Sequence, residues 1–174
     1  MARNIVLGVT GSIAAYKAAS LVRLLVEQGD DVTVVMTSAA CEFVAPLTFK
    51  TLSRNKVYVE AFDPSADWKP EHIALAEKAD LVIVAPATAN TLAKMRYGIA
   101  DNLLSSFLLA VKSPIVVAPA MNDAMWENPA TQENVAALVK RGVKVVQPGG
   151  GMLACGSVGK GRMASPEEII AASC

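Results

Sequence analysis

The chain has 174 residues, 53% hydrophobic and 18% charged, with sixteen basic residues against sixteen acidic ones. That length holds one compact domain with a full core and is short for two. The neutral balance excludes the basic surplus that nucleic-acid binding needs, and no run reaches the roughly 20 apolar residues of a membrane span.

A strand pattern begins almost at once in NIVLGV, so no targeting segment is expected, and the apolar run Ile5–Val9 ends in TGS. Ala14, Ala18, Leu21, Val22 and Leu25 then fall on one helical face, and Gly29 is a suitable stop. VTVVMT (32–37) reads as a second strand and PLTFKTLS as a helix, while 55–70 carries no clear pattern. HIALAEKAD reads as a helix leading into LVIVAPAT (81–88), a strand buried on both faces. NTLAKMRYG and DNLLSSFLLAV read as helices, followed by the strand PIVVAPA (114–120). NPATQENVAALVKRG is a helix capped by Asn128 before Pro129, VKVVQPG a fifth strand, and SPEEIIAAS a closing helix.

Continuous apolar strands alternating with amphipathic helices predict a single α/β domain over 1–174. It is a three-layer, doubly wound parallel sheet of Rossmann or flavodoxin type. An apolar excess without a membrane segment points to buried contacts between copies, hence a homo-oligomer. Cys41, Cys155 and Cys174 are odd in number and lack CxxC spacing. Neither a disulfide framework nor a metal site is expected, and a cytoplasmic location fits.

Ligands of such folds bind beyond the carboxyl ends of the strands. In TGSIAAYK, Gly11 admits a close backbone approach, and Ser12 with the helix-start amides can hold a phosphate. The alternative is an ordinary turn with a capping serine. Thr37 and Ser38 repeat the arrangement after strand two, which favours a single phosphate such as that of a mononucleotide. In APATANT, Asn90 suits a heterocycle edge, while Thr88, Asn90 and Thr91 equally suit a helix cap. His72 is the only histidine and lies before the helix that leads into this strand, where it could approach the same cleft. PAMNDAMW places two methionines and a tryptophan around Asn122, reading as either a ligand wall or a subunit contact. GMLACGSVGKGRM (151–163) sets Cys155 among glycines, with Lys160 and Arg162 as cations able to attract an anion.

Taken together, these segments resemble the homo-oligomeric flavin-containing cysteine decarboxylases, in the phosphopantothenoylcysteine decarboxylase branch. PATANT is similar to the family's PASANT, with Thr88 in place of the serine, and PAMNDAMW matches PxMNxxMW. ACGSVGKGRM is similar to the branch's substrate clamp, with Ser157 where aspartate is usual. The resemblance implies FMN, with its phosphate on Gly11, Ser12 and Ile13 assisted by Thr37 and Ser38. Thr88, Ala89, Asn90 and Thr91 would contact the cofactor and Ala120 would border its ring. It implies His72 as the base, Asn122 on the substrate carboxylate and Cys155 as the proton donor, with Met125, Lys160 and Arg162 also at the substrate. The implied reaction takes 4′-phosphopantothenoylcysteine to 4′-phosphopantetheine for coenzyme A biosynthesis, through a thioaldehyde and an enethiolate, with the clamp glycines acting as lid hinges. Trimers or dodecamers are implied, as is a CTP-dependent ligase domain following the decarboxylase in bacterial relatives. The alternatives are a peptidyl-cysteine oxidative decarboxylase and a non-catalytic flavin-binding regulatory subunit. A flavin prenyltransferase would share the fold but lacks the PxMNxxMW motif and clamp.

Overall fold

Six short, mostly apolar segments pair side by side: β1 (Asn4–Val9), β2 (Asp31–Met36), β3 (Val57–Tyr58), β4 (Leu81–Ala87), β5 (Ile115–Pro119) and β6 (Lys144–Val145). All pair in parallel in the order β3-β2-β1-β4-β5-β6, so the winding direction reverses between β1 and β4. The computed structural model describes residues 2–59, 70–152, 156 and 158–174.

Successive side chains of a strand leave opposite faces, and here both faces are buried. From β1, Ile5, Leu7 and Val9 join one core with Ala18, Leu21 and Leu25 of α1 (Ala15–Glu27), Phe49 of α3 (Pro46–Ser53) and Ile169 of α9 (Pro166–Ala172). Val6 joins the other, with Leu75 of α4 (Glu71–Lys78), Leu92 of α5 (Ala89–Tyr97), Phe107 of α6 (Leu103–Ala110) and Leu138 of α8 (Pro129–Lys140). The result is the three-layer, doubly wound domain that the sequence pattern predicts.

Three local expectations need adjustment. Of VKVVQPG only Lys144 and Val145 pair with β5, opposite Val116 and Val117, and one further bond from Val146 N to Val117 O closes the edge. Two-residue β3 lies in the segment that shows no pattern, too short for any periodicity. The glycine-rich clamp includes an antiparallel hairpin, β7 (Gly149–Met152) with β8 (Val158–Arg162).

Candidate active site

The carboxyl ends of the central strands are laced together by hydrogen bonds beyond the regular ladder. Thr37 N donates to Val9 O at 3.0 Å, and Ala120 N to Ala87 O at 3.1 Å. Between β1 and β4, the Thr10 hydroxyl donates to Pro86 O at 2.7 Å and accepts from Thr88 N at 3.1 Å. Met121 N donates to Gly161 O at 3.0 Å, tying the hairpin to the loop after β5. These bonds fix the floor on which the side chains stand.

Above β1, β2 and β4 lies a polar cavity of about 270 Å³, lined by Thr10, Gly11, Thr37, Ser38, Asn90 and Thr91 among others. Three helices begin on it: the single turn α2 (Ser38–Cys41), α5 and α6. Each is capped by a side chain: Thr37 Oγ1 accepts from Ala40 N, Thr88 Oγ1 from Thr91 N, and Asn102 Oδ1 from Ser105 N. One cap satisfies one of the first-turn amides, so others remain to bind a ligand, and the helix dipoles add positive potential. Gly11 is required here because a Cβ would stand 2.6 Å from the Cβ of Ala39. Lys94 also lines the cavity, but its ammonium is engaged by both Asp101 oxygens at 2.7 and 2.8 Å. That bond holds the Asp101 carboxyl below its usual range.

On the other side of the loop after β1 is a cavity of about 540 Å³. Ile13, Ala120, Met121, Met152 and Met163 give it an apolar wall, and Asn122, Lys17 and Arg162 give it polar groups. Asn122 caps α7 (Asp123–Glu127), its Oδ1 accepting from Ala124 N at 2.9 Å. The hairpin forms the far wall and packs tightly: a Cβ on Gly159 would sit 2.5 Å from Asp123 Oδ2, and one on Gly161 would overlap Met121 O. Lys17 Nζ donates to Met163 O at 3.3 Å. Burial pushes this ammonium below its ordinary value, the charge of Arg162 pushes the same way, and Glu168 opposes them.

Gly11, Thr37, Ser38, Thr88, Asn90 and Thr91 therefore come together on the polar cavity, and Ser12, Ile13, Ala120, Asn122 and Arg162 on the apolar one. Ala89 is the first residue of α5. His72, the second residue of α4, is half-buried and lines neither cavity. Met125 and Lys160 are exposed outside both linings. Cys155 and Ser157 lie outside the described residues. Trp126, read as part of a ligand wall or a subunit contact, is instead 7% exposed in the second core: α7 turns it inward while Met125 stays out. Sequence reasoning missed Thr10, hidden inside a TGS that already had a reading, and Lys17, which resembles any solvated helix cation.

The profile of a family described as Flavoprotein matches residues 1–174. The coenzyme A biosynthesis bifunctional protein CoaBC of Bacillus subtilis is 48% identical over 168 residues, 97% of this chain; the chain spans only 41% of that relative's length. A probable phosphopantothenoylcysteine decarboxylase of Streptococcus mutans is 49% identical over 172 residues, covering 98% of this chain and 96% of that protein. Among solved structures, a PPC decarboxylase mutant complexed with pantothenoylaminoethenethiol superposes with a TM-score of 0.87 at 32% identity, covering 98% of this chain and 96% of the other. The FMN-dependent cysteine decarboxylase SpaF gives 0.83 at 30% identity, covering 99% and 98%.

Proposed function

Because the chain belongs to the flavoprotein family, we propose that it binds FMN and decarboxylates 4′-phosphopantothenoylcysteine to 4′-phosphopantetheine, a step of coenzyme A biosynthesis. The observation that carries this reading is the pair of adjoining cavities, one ringed by helix N-termini and the other walled by methionines, with the loop after β1 between them. The amide-rich cavity fits a phosphate, which Gly11, Thr37 and Ser38 would hold with Ser12 and Ile13 from the loop that separates the two cavities, while Thr88, Ala89, Asn90 and Thr91 would contact the cofactor. Ala120 and Met121 offer an apolar wall of the kind a flavin ring needs. Loss of CO₂ from a cysteinyl carboxylate needs an electron sink on the neighbouring carbon, which FMN supplies when bound by accepting and later returning two electrons.

The chain's own residues then bind substrate and move protons. Asn122 presents its amide nitrogen to the carboxylate while its oxygen stays on Ala124 N. Met125 extends the apolar wall, and Lys160 and Arg162 attract the anionic substrate. His72 takes the proton from the thiol, and Cys155 delivers the final one. His72 lines neither cavity of its own chain, and Ile13, Tyr16, Met125 and Met152 stand exposed in or near the apolar one. Both facts support a homo-oligomer, a trimer or a dodecamer, in which a second copy completes the site. Among the described residues no helix is long and apolar enough to cross a membrane, and we place the protein in the cytoplasm. The CoaBC relative is bifunctional and this chain spans 41% of it, which supports a second activity as functional partner, the CTP-dependent ligase that the resemblance implies.

The test is turnover by purified protein supplied with FMN, following CO₂ and 4′-phosphopantetheine together. Cys155→Ser should keep releasing CO₂ while yielding the enethiol; an unchanged yield of 4′-phosphopantetheine removes Cys155 from the reading. Turnover only of peptides ending in cysteine would favour the peptidyl alternative, and absence of CO₂ from all substrates the regulatory one.

A further inference from the structure

We infer that Lys56 and Glu71 form a strut between the edge of the sheet and the first turn of α4, and that this strut positions His72. The inference rests on the decarboxylase reading above, in which His72 takes a proton, and adds two positioning residues to it. Lys56 Nζ donates to Glu71 Oε1 at 2.7 Å, and the Glu71 side chain is only 10% exposed. The ammonium also lies 4.7 Å from the centre of the Tyr58 ring, a cation–π contact. The backbone is pinned on both sides of Lys56. Asn55 Nδ2 donates to Asp31 Oδ1 at 2.6 Å and to Val32 O at 2.9 Å, while Val57 and Tyr58 pair with Val34 and Val35 of β2. The cation is therefore a fixed point of the sheet, and the carboxylate next to His72 docks on it.

The start of α4 needs such a fixture. Pro70 opens the helix without a side-chain cap, unlike Thr88 at α5 and Asn102 at α6. Successive residues lie about 100° apart around a helix, which puts His72 about 100° round from Glu71. Leu75 and Ala79, both 7% exposed, fall between the two, at about 40° and 80°. Glu71 and His72 thus flank the line along which α4 is buried. An ion pair on one flank fixes the helix about its axis, and with it the imidazole on the other flank. Because His72 lines neither cavity of its own chain, the cavities do not orient it, and α4 carries that task. Removing the cation would leave Glu71 a nearly buried charge without that partner. The first turn relieves this by turning its carboxylate toward water, and His72 turns with it.

The experiment uses untagged, FMN-loaded protein, in which His72 is the only histidine, with the variants Lys56→Met, Glu71→Gln and Lys56→Arg. Anaerobic mixing with 4′-phosphopantothenoylcysteine follows the loss of flavin absorbance, the step assigned to His72. A misplacement of about 1 Å costs on the order of 100-fold, so Lys56→Met should slow this step by about 10- to 100-fold. Glu71→Gln, which keeps the shape and a neutral hydrogen bond, should fall between it and wild type, and tests the same pair where Lys56→Met folds poorly. Lys56→Arg should stay near wild type, and KM and FMN affinity should hardly move in any of the three. In a His72→Asn background, Lys56→Met should cost almost nothing more, because the group it misplaces is already gone. Without substrate, an NMR spectrum of protein labelled at histidine carbon should show one signal, unmoved in Lys56→Arg and shifted or split in Lys56→Met. Equal losses with and without His72, a signal that Lys56→Met leaves in place, or losses confined to KM or FMN affinity would overturn the inference while leaving the decarboxylase reading intact. A His72→Asn enzyme as fast as wild type would overturn the role given to His72 and the strut's purpose with it. Wild type that turns over no substrate would overturn both readings.

Discussion

Thr10 offers the sharpest test of how the site floor is held. β1 and β4 are in register from Ile5↔Leu81 to Gly8↔Val84, after which the register of β4 against its other neighbour shifts and Pro86 has no N–H to give. At that point the Thr10 hydroxyl takes over, donating to Pro86 O and accepting from Thr88 N, at 1% exposure. Thr10→Val keeps the shape and removes the hydroxyl, so a buried carbonyl and an amide lose their partner together. Each such loss costs about 1–3 kcal/mol, and since Thr88 is only half-buried we expect about 2–4 kcal/mol in all. For a chain of this size that lowers Tm by roughly 5–15 °C.

Urea unfolding of the flavin-free protein measures the effect directly, with Thr10→Ser as the control that retains the hydroxyl. Flavin titration should move in parallel, because Thr88, whose amide rests on Thr10, also caps α5 at the polar cavity. A loss below about 0.5 kcal/mol for the valine variant, or a serine variant that falls as far, would refute the reasoning.

Gly161→Ala should detach the hairpin: Gly161 has φ +152°, and a Cβ there overlaps Met121 O. The expected outcome is a local loss of about 1–3 kcal/mol, read as faster proteolytic cleavage between 149 and 162, and wild-type cleavage rates would contradict it. Asp30 is held by Arg3 through Nη2–Oδ2 at 2.7 Å and Nε–Oδ1 at 3.1 Å, with its side chain 6% exposed. Hydrogen bonding to Arg3 holds that carboxyl below its ordinary value. The folded pKa is depressed, so the stabilisation is present above the unfolded carboxylate range and is lost as pH falls through the folded pKa. Asp30→Asn should therefore cost about 1–2 kcal/mol at pH 7, with the gap from wild type closing in acid; a gap constant down to pH 2 would show that the pair is not its source.

Fold and site were legible where their signals repeat. Parallel strands buried on both faces read as LVIVA or IVVA, and α1 shows its buried stripe at Ala18, Leu21, Val22 and Leu25 because the helix repeats that face every few residues. Given that alternation, the topology rule alone directs attention to the loops after β1, β2, β4 and β5, and all four line the two cavities. Contacts made once have no period. Thr10 reaches a carbonyl 76 positions away, and nothing near it in the chain distinguishes it from an ordinary turn threonine. Met125 and Trp126 are neighbours of similar character, yet α7 sends one to solvent and the other into the core.

The glycines of the clamp show how a composition can be noticed and its cause still missed. As a sequence, GMLACGSVGKGRM asks for hinges. In the fold, Gly159 and Gly161 do something more restrictive, since a side chain at Gly159 would strike Asp123 of α7 and one at Gly161 would strike Met121 in the loop after β5. Those two contacts, with the Met121–Gly161 hydrogen bond, press β8 against the residues beside Asn122. A strand held that closely has little freedom to swing at Gly159 or Gly161.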